Sequence, residues 1–183
     1  MLLELSDVSC RRGGRLLFEH HDLALAAGDA VHLTGPNGVG KSSLLRLAAG
    51  LLAPAAGSIR RADAALADDR LALDMEKPLG EALAFWARID GISPDAAMEA
   101  MGLAPLADVP VRFLSTGQAQ RARLARVIAS GAPLWLLDEP LNALDKDGRD
   151  RLGRAIAAHR EKGGAVLAAS HVSLGEDWRE ARL

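Results

Sequence analysis

GPNGVGKS, at residues 35–42, is the most informative stretch of this chain. It fits the pattern G-x-x-x-x-G-K-[ST] of a phosphate-binding loop, whose glycines let successive backbone N–H groups turn towards phosphate oxygens. An apolar strand pattern, AVHLT at residues 30–34, precedes the stretch, and a helical pattern follows it at residues 40–50. The positive end of that helix dipole would add to the anion-binding amides. The sequence therefore predicts a nucleotide-binding loop between a strand and a helix.

Two side chains of this loop have separate predicted roles. Lys41 can reach the β- and γ-phosphates of a nucleotide, and Ser42 can bind Mg²⁺. The other residues contribute mainly backbone amides, which form the cradle for the phosphates. The predicted nucleotide-binding residues are Gly35, Pro36, Asn37, Gly38, Val39, Gly40, Lys41, Ser42 and Ser43.

A second motif, LWLLDEP at residues 134–140, places two acidic residues at the end of an apolar strand pattern. In a parallel sheet the carboxyl ends of the strands gather at one edge, where a phosphate loop also lies. Asp138 is then placed to hold Mg²⁺ through a water molecule, and Glu139 to polarise the attacking water. A solvated acidic turn is the alternative interpretation of these two carboxylates.

A third motif opens a helix with small and polar groups, and it consists of Leu114, Ser115, Thr116, Gly117 and Gln118. A helix N-terminus of this kind is a second potential anion-binding site. Spacing alone leaves a plainer interpretation open, in which Ser115 is only an N-cap. The helix behind it would then present a solvated face that carries Arg121, Arg123 and Arg126.

Strand-like and helix-like patterns alternate along the chain, which favours an α/β fold. Strand patterns occupy residues 2–8, 30–34, 71–73, 134–137 and 165–169, and helical patterns occupy residues 40–50, 78–90, 94–101, 115–130 and 145–162. The helical block at about residues 78–130 interrupts the strand-rich remainder. We therefore predict a P-loop core with a small N-terminal β portion and an inserted helical subdomain, all within one domain at residues 1–183.

The composition is that of a soluble globular protein, with 183 residues, 49% hydrophobic and 25% charged. A net charge of −2 and an aromatic content of 3%, without tyrosine, disfavour a nucleic-acid-binding domain. Cys10 is the single cysteine and cannot form an intrachain disulfide, so a reducing compartment is expected. The N-terminus lacks a signal-peptide core, and the longest uncharged apolar stretch, at residues 47–59, is interrupted by Pro54. We expect any membrane crossing to come from another chain.

Several motifs, taken in order, resemble those of the ATP-binding subunits of ABC transporters. They are GPNGVGKSS at residues 35–43, LSTGQ at 114–118, LWLLDEP at 134–140, NALD at 142–145 and SH at 170–171. The resemblance covers essentially the whole chain and implies an ABC-type ATPase that binds ATP and Mg²⁺. It also implies a homodimer in which each phosphate loop faces the signature segment, residues 114–118, of the second copy. The catalytic roles that it implies are Lys41 on the phosphates, Glu139 as general base and His171 as γ-phosphate switch, with Asp145 in the dimer-facing loop.

Other segments resemble one branch of that family more closely, the haem exporter ATP-binding proteins of cytochrome c maturation. They include LLRLAAGLLAPAAGSI at residues 44–59, PLGEALAFWARIDG at 78–91 and APLWLLDEPLNALD at 132–145. This resemblance implies integral membrane permease subunits of a cytochrome c maturation complex as partners, with the chain peripheral to the cytoplasmic face of the inner membrane. In that branch, ATP hydrolysis is associated with release of a haem-loaded chaperone. The alternatives are the ATPase subunit of another ABC exporter and a regulatory ATP-binding protein with weak hydrolysis.

The chain departs from the usual ABC pattern at a glutamine position. No glutamine stands between Lys41 and Gln118, where the family carries one that senses the γ-phosphate and contacts the membrane subunit. The nearest polar candidates are Asp74 and Glu76, in a segment that is short for the family. An acidic side chain there would still bind Mg²⁺ or a water molecule. This departure leaves open which residue couples ATP binding to a partner subunit.

Two further positions differ from the family. Thr116 replaces the commoner glycine of the signature segment. The usual adenine-stacking aromatic residue near the N-terminus is missing, and its place would fall to the guanidinium plane of Arg11 or Arg12, or to Phe18. The aromatic pair at residues 85–86 suits either a groove for a membrane-subunit helix or ordinary helix packing.

Overall fold

The computed structural model describes residues 1–90 and 93–183, apart from the side chains of residues 89 and 90. The strands are β1 (Leu3–Arg12), β2 (Arg15–Leu25), β3 (Ala30–Thr34), β4 (Ala56–Arg61), β5 (Ala64–Ala67), β6 (Leu134–Asp138), β7 (Ala165–Ala169) and β8 (Arg179–Arg182). The α-helices are α1 (Lys41–Ala48), α2 (Leu79–Asp90), α3 (Asp95–Ala100), α4 (Thr116–Ala129) and α5 (Lys146–Glu161). Short 3-10 helices lie at Ala104–Leu106 and Val111–Phe113.

The N-terminal strands form an antiparallel sheet of order β2-β1-β4. A two-residue turn joins β1 to β2, and both of its residues, Gly13 and Gly14, have positive φ, at 54° and 80°. Hairpin turns with two positive φ values match the right-handed twist of the flanking strands, and glycine adopts them without steric cost. The small N-terminal β portion predicted from the sequence is therefore present as a three-stranded sheet.

The second sheet is parallel, with strand order β5-β6-β7-β3-β8. Its central strands are apolar, and β7 is buried at every position. Strands covered on both faces read as continuous apolar runs, so the strands predicted at residues 30–34 and 165–169 are confirmed. Because the strands run in one direction, the segments that follow β3, β6 and β7 leave the sheet at the same edge.

The chain divides into two compact units. The sheet unit comprises residues 1–68, 132–139 and 159–183 and contains both sheets, together with α1. Its core is rich in leucine, with Leu33, Leu44 and Leu136 fully buried. The helical unit comprises residues 69–131 and 140–158. The helical block predicted at about residues 78–130 lies within it.

Helix α2, helix α4 and the phosphate-loop helix lie close to their predicted positions, since their apolar residues recur at helical spacing. The strand predicted at residues 71–73 is wrong. Ala72 has a φ of 53°, which a strand does not tolerate, and its carbonyl oxygen accepts a hydrogen bond from the indole N–H of Trp86 at 2.8 Å. The sheet strand in this part of the chain is β5 instead. Within the described parts of the chain, no helix combines the length and the hydropathy that a bilayer crossing requires.

Candidate functional site

The phosphate loop, residues 35–40, connects β3 to α1 in the sheet unit. Gly35 and Gly40 have φ values of 145° and 123°, in a region that L side chains rarely adopt. A Cβ at Gly40 would lie 2.9 Å from Phe18 Cδ1, and one at Gly35 would lie 2.9 Å from the Leu183 carbonyl oxygen. Both positions therefore require glycine for conformation and for space.

Helix α1 presents its amino end to this loop. Across the described residues, no side chain caps the helix, and no acidic residue stands in its first turn. The first intrahelical bond joins the Leu44 N–H to the Gly40 carbonyl at 2.8 Å, so the earlier N–H groups of the helix remain directed at the loop. Such an arrangement binds anions through both hydrogen bonding and the helix dipole.

Lys41 is the cation of the loop. Its side chain is buried, with 8% of the residue exposed, and Nζ donates to the carbonyl oxygens of Gly35 at 2.7 Å and Pro36 at 3.2 Å. These two bonds hold the ammonium group over the loop. The neighbouring Ser42 is exposed, and Ser43 is half-buried beside the Cys10 thiol. Burial raises the pKa of Cys10, partly offset by Arg12 and by the hydrogen bond with Ser43.

Of the residues considered for adenine contact, Phe18 packs its ring against Gly40 of the loop. Arg11 instead donates to the Gly14 carbonyl at 3.3 Å within the β1–β2 turn.

The two acidic residues follow β6 at the edge where the phosphate loop leaves the sheet. Asp138 is the last residue of β6 and pairs with Ala169 of β7. The next residue, Glu139, has a φ of 49°, unusual for a residue with a long side chain. Its N–H still donates to the Ala169 carbonyl at 2.8 Å, so the ladder continues one residue past the strand. The left-handed backbone conformation therefore redirects the chain at Glu139, and the hydrogen bond to β7 holds the residue in place there.

The carboxylate of Glu139 contacts His171, which follows β7. The distance from Glu139 Oε1 to His171 Nε2 is 3.2 Å, and the His171 backbone N–H donates to Oε2 at 3.4 Å. The Glu139 side chain is 25% exposed and the His171 side chain 52% exposed. An ionised carboxylate can only accept hydrogen bonds, so His171 Nε2 carries the proton in this contact. The structure thus brings two of the predicted catalytic residues into direct contact.

The signature segment begins α4 in the helical unit. Ser115 is the N-cap of the helix, and its Oγ accepts from the Gln118 N–H at 3.3 Å. Gln118 Oε1 accepts in turn from the Ser115 N–H at 2.8 Å, which completes a capping box. Gly117 packs so closely on the next segment that a Cβ there would lie 2.9 Å from the Ala143 carbonyl oxygen. Thr116, at the first helical position, is exposed.

The plainer interpretation of this helix is confirmed for Ser115, which is its N-cap. It is wrong for the arginines, which do not form a solvated face. Arg121 donates to the Met101 carbonyl at 3.4 Å, and Arg123 donates to Gln120 Oε1 at 2.8 Å. The guanidinium group of Arg126 lies over the ring of Trp86, 5.1 Å from its centroid. All three side chains are half-buried, since α4 is covered by its neighbours within the helical unit.

Asp145 also lies in the helical unit, directly before α5. Its Oδ1 accepts from the Gly148 N–H at 2.8 Å, so it caps the amino end of this helix. The loop that leads to it is held by Gln120 of α4, whose Nε2 donates to the Pro140 carbonyl at 3.0 Å. The structure therefore joins the signature helix to the Asp145 loop, while the phosphate loop, Asp138, Glu139 and His171 belong to the sheet unit.

Two buried polar residues, one in each unit, were not predicted from the sequence. Gln120 is 5% exposed and His32 is 6% exposed. His32 Nε2 lies 2.9 Å from the carbonyl oxygen of Ser170, the residue before His171. The available signal was a polar side chain inside an otherwise apolar strand pattern, AVHLT, because a buried polar group requires a partner.

Comparison with known proteins defines the class of this protein. The family model for ABC transporters matches residues 18–142, which is more than half of the chain. The chain therefore belongs to the ABC transporter family, and it is an ABC-type ATPase. This family binds ATP.

The chain is also similar over nearly its whole length to individual members of the family. It is 60% identical over 178 residues to the cytochrome c biogenesis ATP-binding export protein CcmA of Sphingopyxis alaskensis, which covers 95% of this chain and 92% of the relative. It is 58% identical over 174 residues to CcmA of Novosphingobium aromaticivorans, covering 94% and 90%. The solved structure of an ATP-binding subunit of an ABC transporter has the same fold, with a TM-score of 0.87 at 24% identity, covering 94% of this chain and 80% of that one.

Proposed function

We propose that this chain is the ATP-hydrolysing subunit of an ABC export complex in cytochrome c biogenesis. The observation that carries the proposal is the contact of Glu139 with His171 at the sheet edge from which the phosphate loop also leaves. That arrangement provides a base and a phosphate-binding cradle on one rigid scaffold. The assignment to cytochrome c biogenesis and haem export is supported by the names of relatives at 60% and 58% identity. Release of a haem-loaded chaperone is the expected consequence of hydrolysis.

ATP is bound in this proposal by the loop residues 35–43, with Lys41 on the β- and γ-phosphates. The amino end of α1 and the buried ammonium group of Lys41 fit a polyphosphate, because both are arranged to attract anions. The exposed hydroxyl of Ser42 and the carboxylate of Asp138 are hard oxygen ligands of the kind that Mg²⁺ prefers. When bound, Mg²⁺ supplies positive charge to the phosphate oxygens.

Glu139 acts as the general base in the proposed reaction. A water molecule attacks the γ-phosphorus, the bond from that phosphorus to the bridging oxygen breaks, and the electron pair leaves with ADP. The proton of the water passes to the carboxylate of Glu139. Lys41 and the loop amides stabilise the charge that develops on the phosphoryl oxygens.

His171 acts as the γ-phosphate switch. Its Nε2–H group already donates towards Glu139 Oε1 at 3.2 Å, and about half of the side chain is exposed. A donor in this position can exchange between the carboxylate and a phosphate oxygen. The exchange would release the carboxylate of Glu139 for proton transfer when ATP is bound.

Two copies of the chain pair head to tail in this proposal. The signature residues of one copy, with Ser115 and Thr116 exposed at the amino end of α4, then meet the ATP on the phosphate loop of the other. Asp145 belongs to the dimer-facing loop, and its cap on α5 anchors the end of that loop. No nucleic acid enters this scheme.

Membrane subunits dock on the helical unit in this proposal. A cavity of about 430 Å³ lies along α2, and its lining combines Phe85, Trp86, Ala72, Asp74, Lys77 and Arg88. Phe85 is 53% exposed, and its ring meets Trp86 edge to face, with centroids 5.6 Å apart. An exposed aromatic ring in a cleft with charges of both signs suits a helix end of a permease subunit. Docking there would place the chain at the cytoplasmic face of the inner membrane as a peripheral subunit.

The test of the function uses a tagged Glu139→Gln variant with ATP and Mg²⁺. The amide keeps the shape of the carboxylate but cannot accept a proton, so we expect turnover to fall at least ~100-fold while ATP stays bound. Glu161→Gln, an exposed glutamate at the end of α5, is the matched control and should retain full turnover. Unchanged hydrolysis in Glu139→Gln would remove this residue from the base role.

The same variant tests the partners in a mild-detergent pull-down. Recovery of haem-handling membrane proteins supports the proposal, and recovery of a different permease replaces the cytochrome c assignment. Phe85→Asp should abolish the recovery without changing ATP binding, because the charge disrupts an apolar contact. Leu51→Asp, which alters an exposed leucine of the sheet unit, is the control and should leave the partners bound.

A further inference from the structure

A buried imidazole lies in the strand that leads into the phosphate loop. His32 is in β3, three residues before Gly35, and is 6% exposed. Its neighbours in the strand, Val31 and Leu33, are fully buried. We propose that His32 is a positioning residue for hydrolysis, which holds His171 against Glu139 through the carbonyl group of Ser170.

The contact is a single hydrogen bond with a defined direction. His32 Nε2 lies 2.9 Å from the Ser170 carbonyl oxygen, and a carbonyl oxygen can only accept, so Nε2 donates. The strand register pairs His32 with Ala168, and β7 ends one residue later, at Ala169. Ser170 therefore lies just beyond the paired part of β7. Its carbonyl oxygen is bonded by the His32 side chain instead of by a backbone N–H group of β3.

This bond orients a peptide group that also contacts the catalytic pair. The Ser170 carbonyl and the His171 N–H belong to one planar trans peptide, in which the C=O and N–H bonds point in opposite directions. Holding the oxygen against His32 therefore aims the His171 N–H, which donates to Glu139 Oε2 at 3.4 Å. Hydrogen bonds in such a chain polarise and reinforce one another.

Ser170 is fixed on its other side as well. Its Oγ accepts from the Val172 N–H at 3.0 Å, and the residue is 4% exposed. The turn that carries His171 is thus held at the carbonyl and at the hydroxyl of the preceding residue. Since His32 belongs to the strand that carries the phosphate loop, the same imidazole links this loop to the His171 turn.

The inference rests on the proposed roles of Glu139 and His171, and the experiment separates the two. In the full chain, His32→Leu leaves the Ser170 carbonyl buried without its donor, so we expect kcat to fall about tenfold. The affinity for a fluorescent ATP analogue should change less than about threefold, because the phosphate loop keeps its contacts. His32→Gln retains an N–H donor and should recover most of kcat. His20→Leu, an exposed histidine of β2, is the matched control.

A double-mutant cycle with His171→Ala decides whether His32 acts through His171. We expect His32→Leu to cause a much smaller loss of kcat once His171 is alanine, because only the backbone N–H of residue 171 then remains for the bond to orient. If the fold-losses of kcat in the two single variants multiply in the double variant, the inference is overturned. An unchanged kcat in His32→Leu, beside a reduced kcat in His171→Ala, would also overturn it. A normal kcat in His171→Ala itself would overturn the proposed switch role instead. Where His32→Leu does not fold, His32→Asn takes its place, because the shorter amide cannot span the distance that glutamine can.

Discussion

Gly164 lies under the imidazole ring of His159, where a methyl group has no room. A Cβ built on Gly164 would lie 2.2 Å from His159 Nε2 and 2.3 Å from Cε1. The ring is stacked on Trp135, with centroids 3.8 Å apart and an interplanar angle of 10°. The φ of Gly164 lies outside the positive range that L residues avoid, so Gly164→Ala is a steric perturbation without backbone strain. We predict that the methyl group displaces the ring from Trp135.

Three contributions set the size of the effect on the free energy of unfolding. Loss of the stacked pair costs about 0.5–1.5 kcal/mol. Displacement of the ring uncovers apolar surface on Trp135, and roughly 50 Å² at ~25 cal/mol/Å² adds about 1.2 kcal/mol. Alanine also restricts the unfolded chain, which offsets ~0.4–1 kcal/mol of the loss. The net destabilisation is about 1–2 kcal/mol, equivalent to a fall in Tm of roughly 2–8 °C for a chain of this length.

Thermal unfolding followed by circular dichroism measures this change. Gly153→Ala is the matched control, because Gly153 lies in α5 with nothing within 4 Å of an added Cβ. We expect that control to raise stability by about 0.5–1 kcal/mol through helix propensity. In a His159→Ala background the obstruction is absent, so Gly164→Ala should become neutral or stabilising. An equal loss of stability in both backgrounds would refute the reasoning.

Three other predictions concern charge and capping. Lys41→Met removes the cation held by the loop carbonyls, so the affinity for a fluorescent ATP analogue should fall at least ~tenfold, and retained affinity would contradict the loop assignment. Asp145→Ala removes the cap on the Gly148 N–H and should lower the free energy of unfolding by about 1 kcal/mol. Asp145→Asn keeps an acceptor oxygen and should restore most of this loss. Equal losses in both variants would exclude capping as the cause. Burial lowers the pKa of His159, so the unfolded chain binds this proton more readily and stability falls as the pH drops below about 6.5. His159→Phe should therefore reduce the difference in Tm between pH 7.5 and pH 5.5, and an undiminished difference would assign it to other groups.

The phosphate loop and its flanking elements were predictable because their determinants are local. The glycines of residues 35–40 and the apolar periodicity on either side specify a strand, a loop and a helix without reference to the rest of the chain. The same holds for β7, whose unbroken apolar run indicates a strand covered on both faces. The Ser115 cap was equally readable, since a capping box needs only residues three apart.

Strands β2, β4 and β8 were not predicted, because none of them has an unbroken apolar run or a sustained alternation of apolar and polar residues. They read RLLFEHHDLAL, AGSIRR and REAR, and much of each is exposed. What holds them is pairing with β1 or β3, which supplies backbone hydrogen bonds that no local pattern reveals. The erroneous strand at residues 71–73 has the converse cause, because a short apolar run was placed in a turn by its contact with Trp86.

The sequence by itself determined the class of chemistry. The residue types and spacing of the loop at residues 35–42 suit phosphate binding, and the acidic pair at residues 138–139 suits water activation. Only the tertiary structure decided how the proposed catalytic groups are held. Glu139, His171 and His32 are remote along the chain, and β6, β7 and β3 bring them together because these strands are neighbours in one parallel sheet. The 2.9 Å bond from His32 to Ser170 and the 3.2 Å contact of His171 with Glu139 depend on that strand order. Strand order results from burying apolar faces across the whole chain, which is a global property.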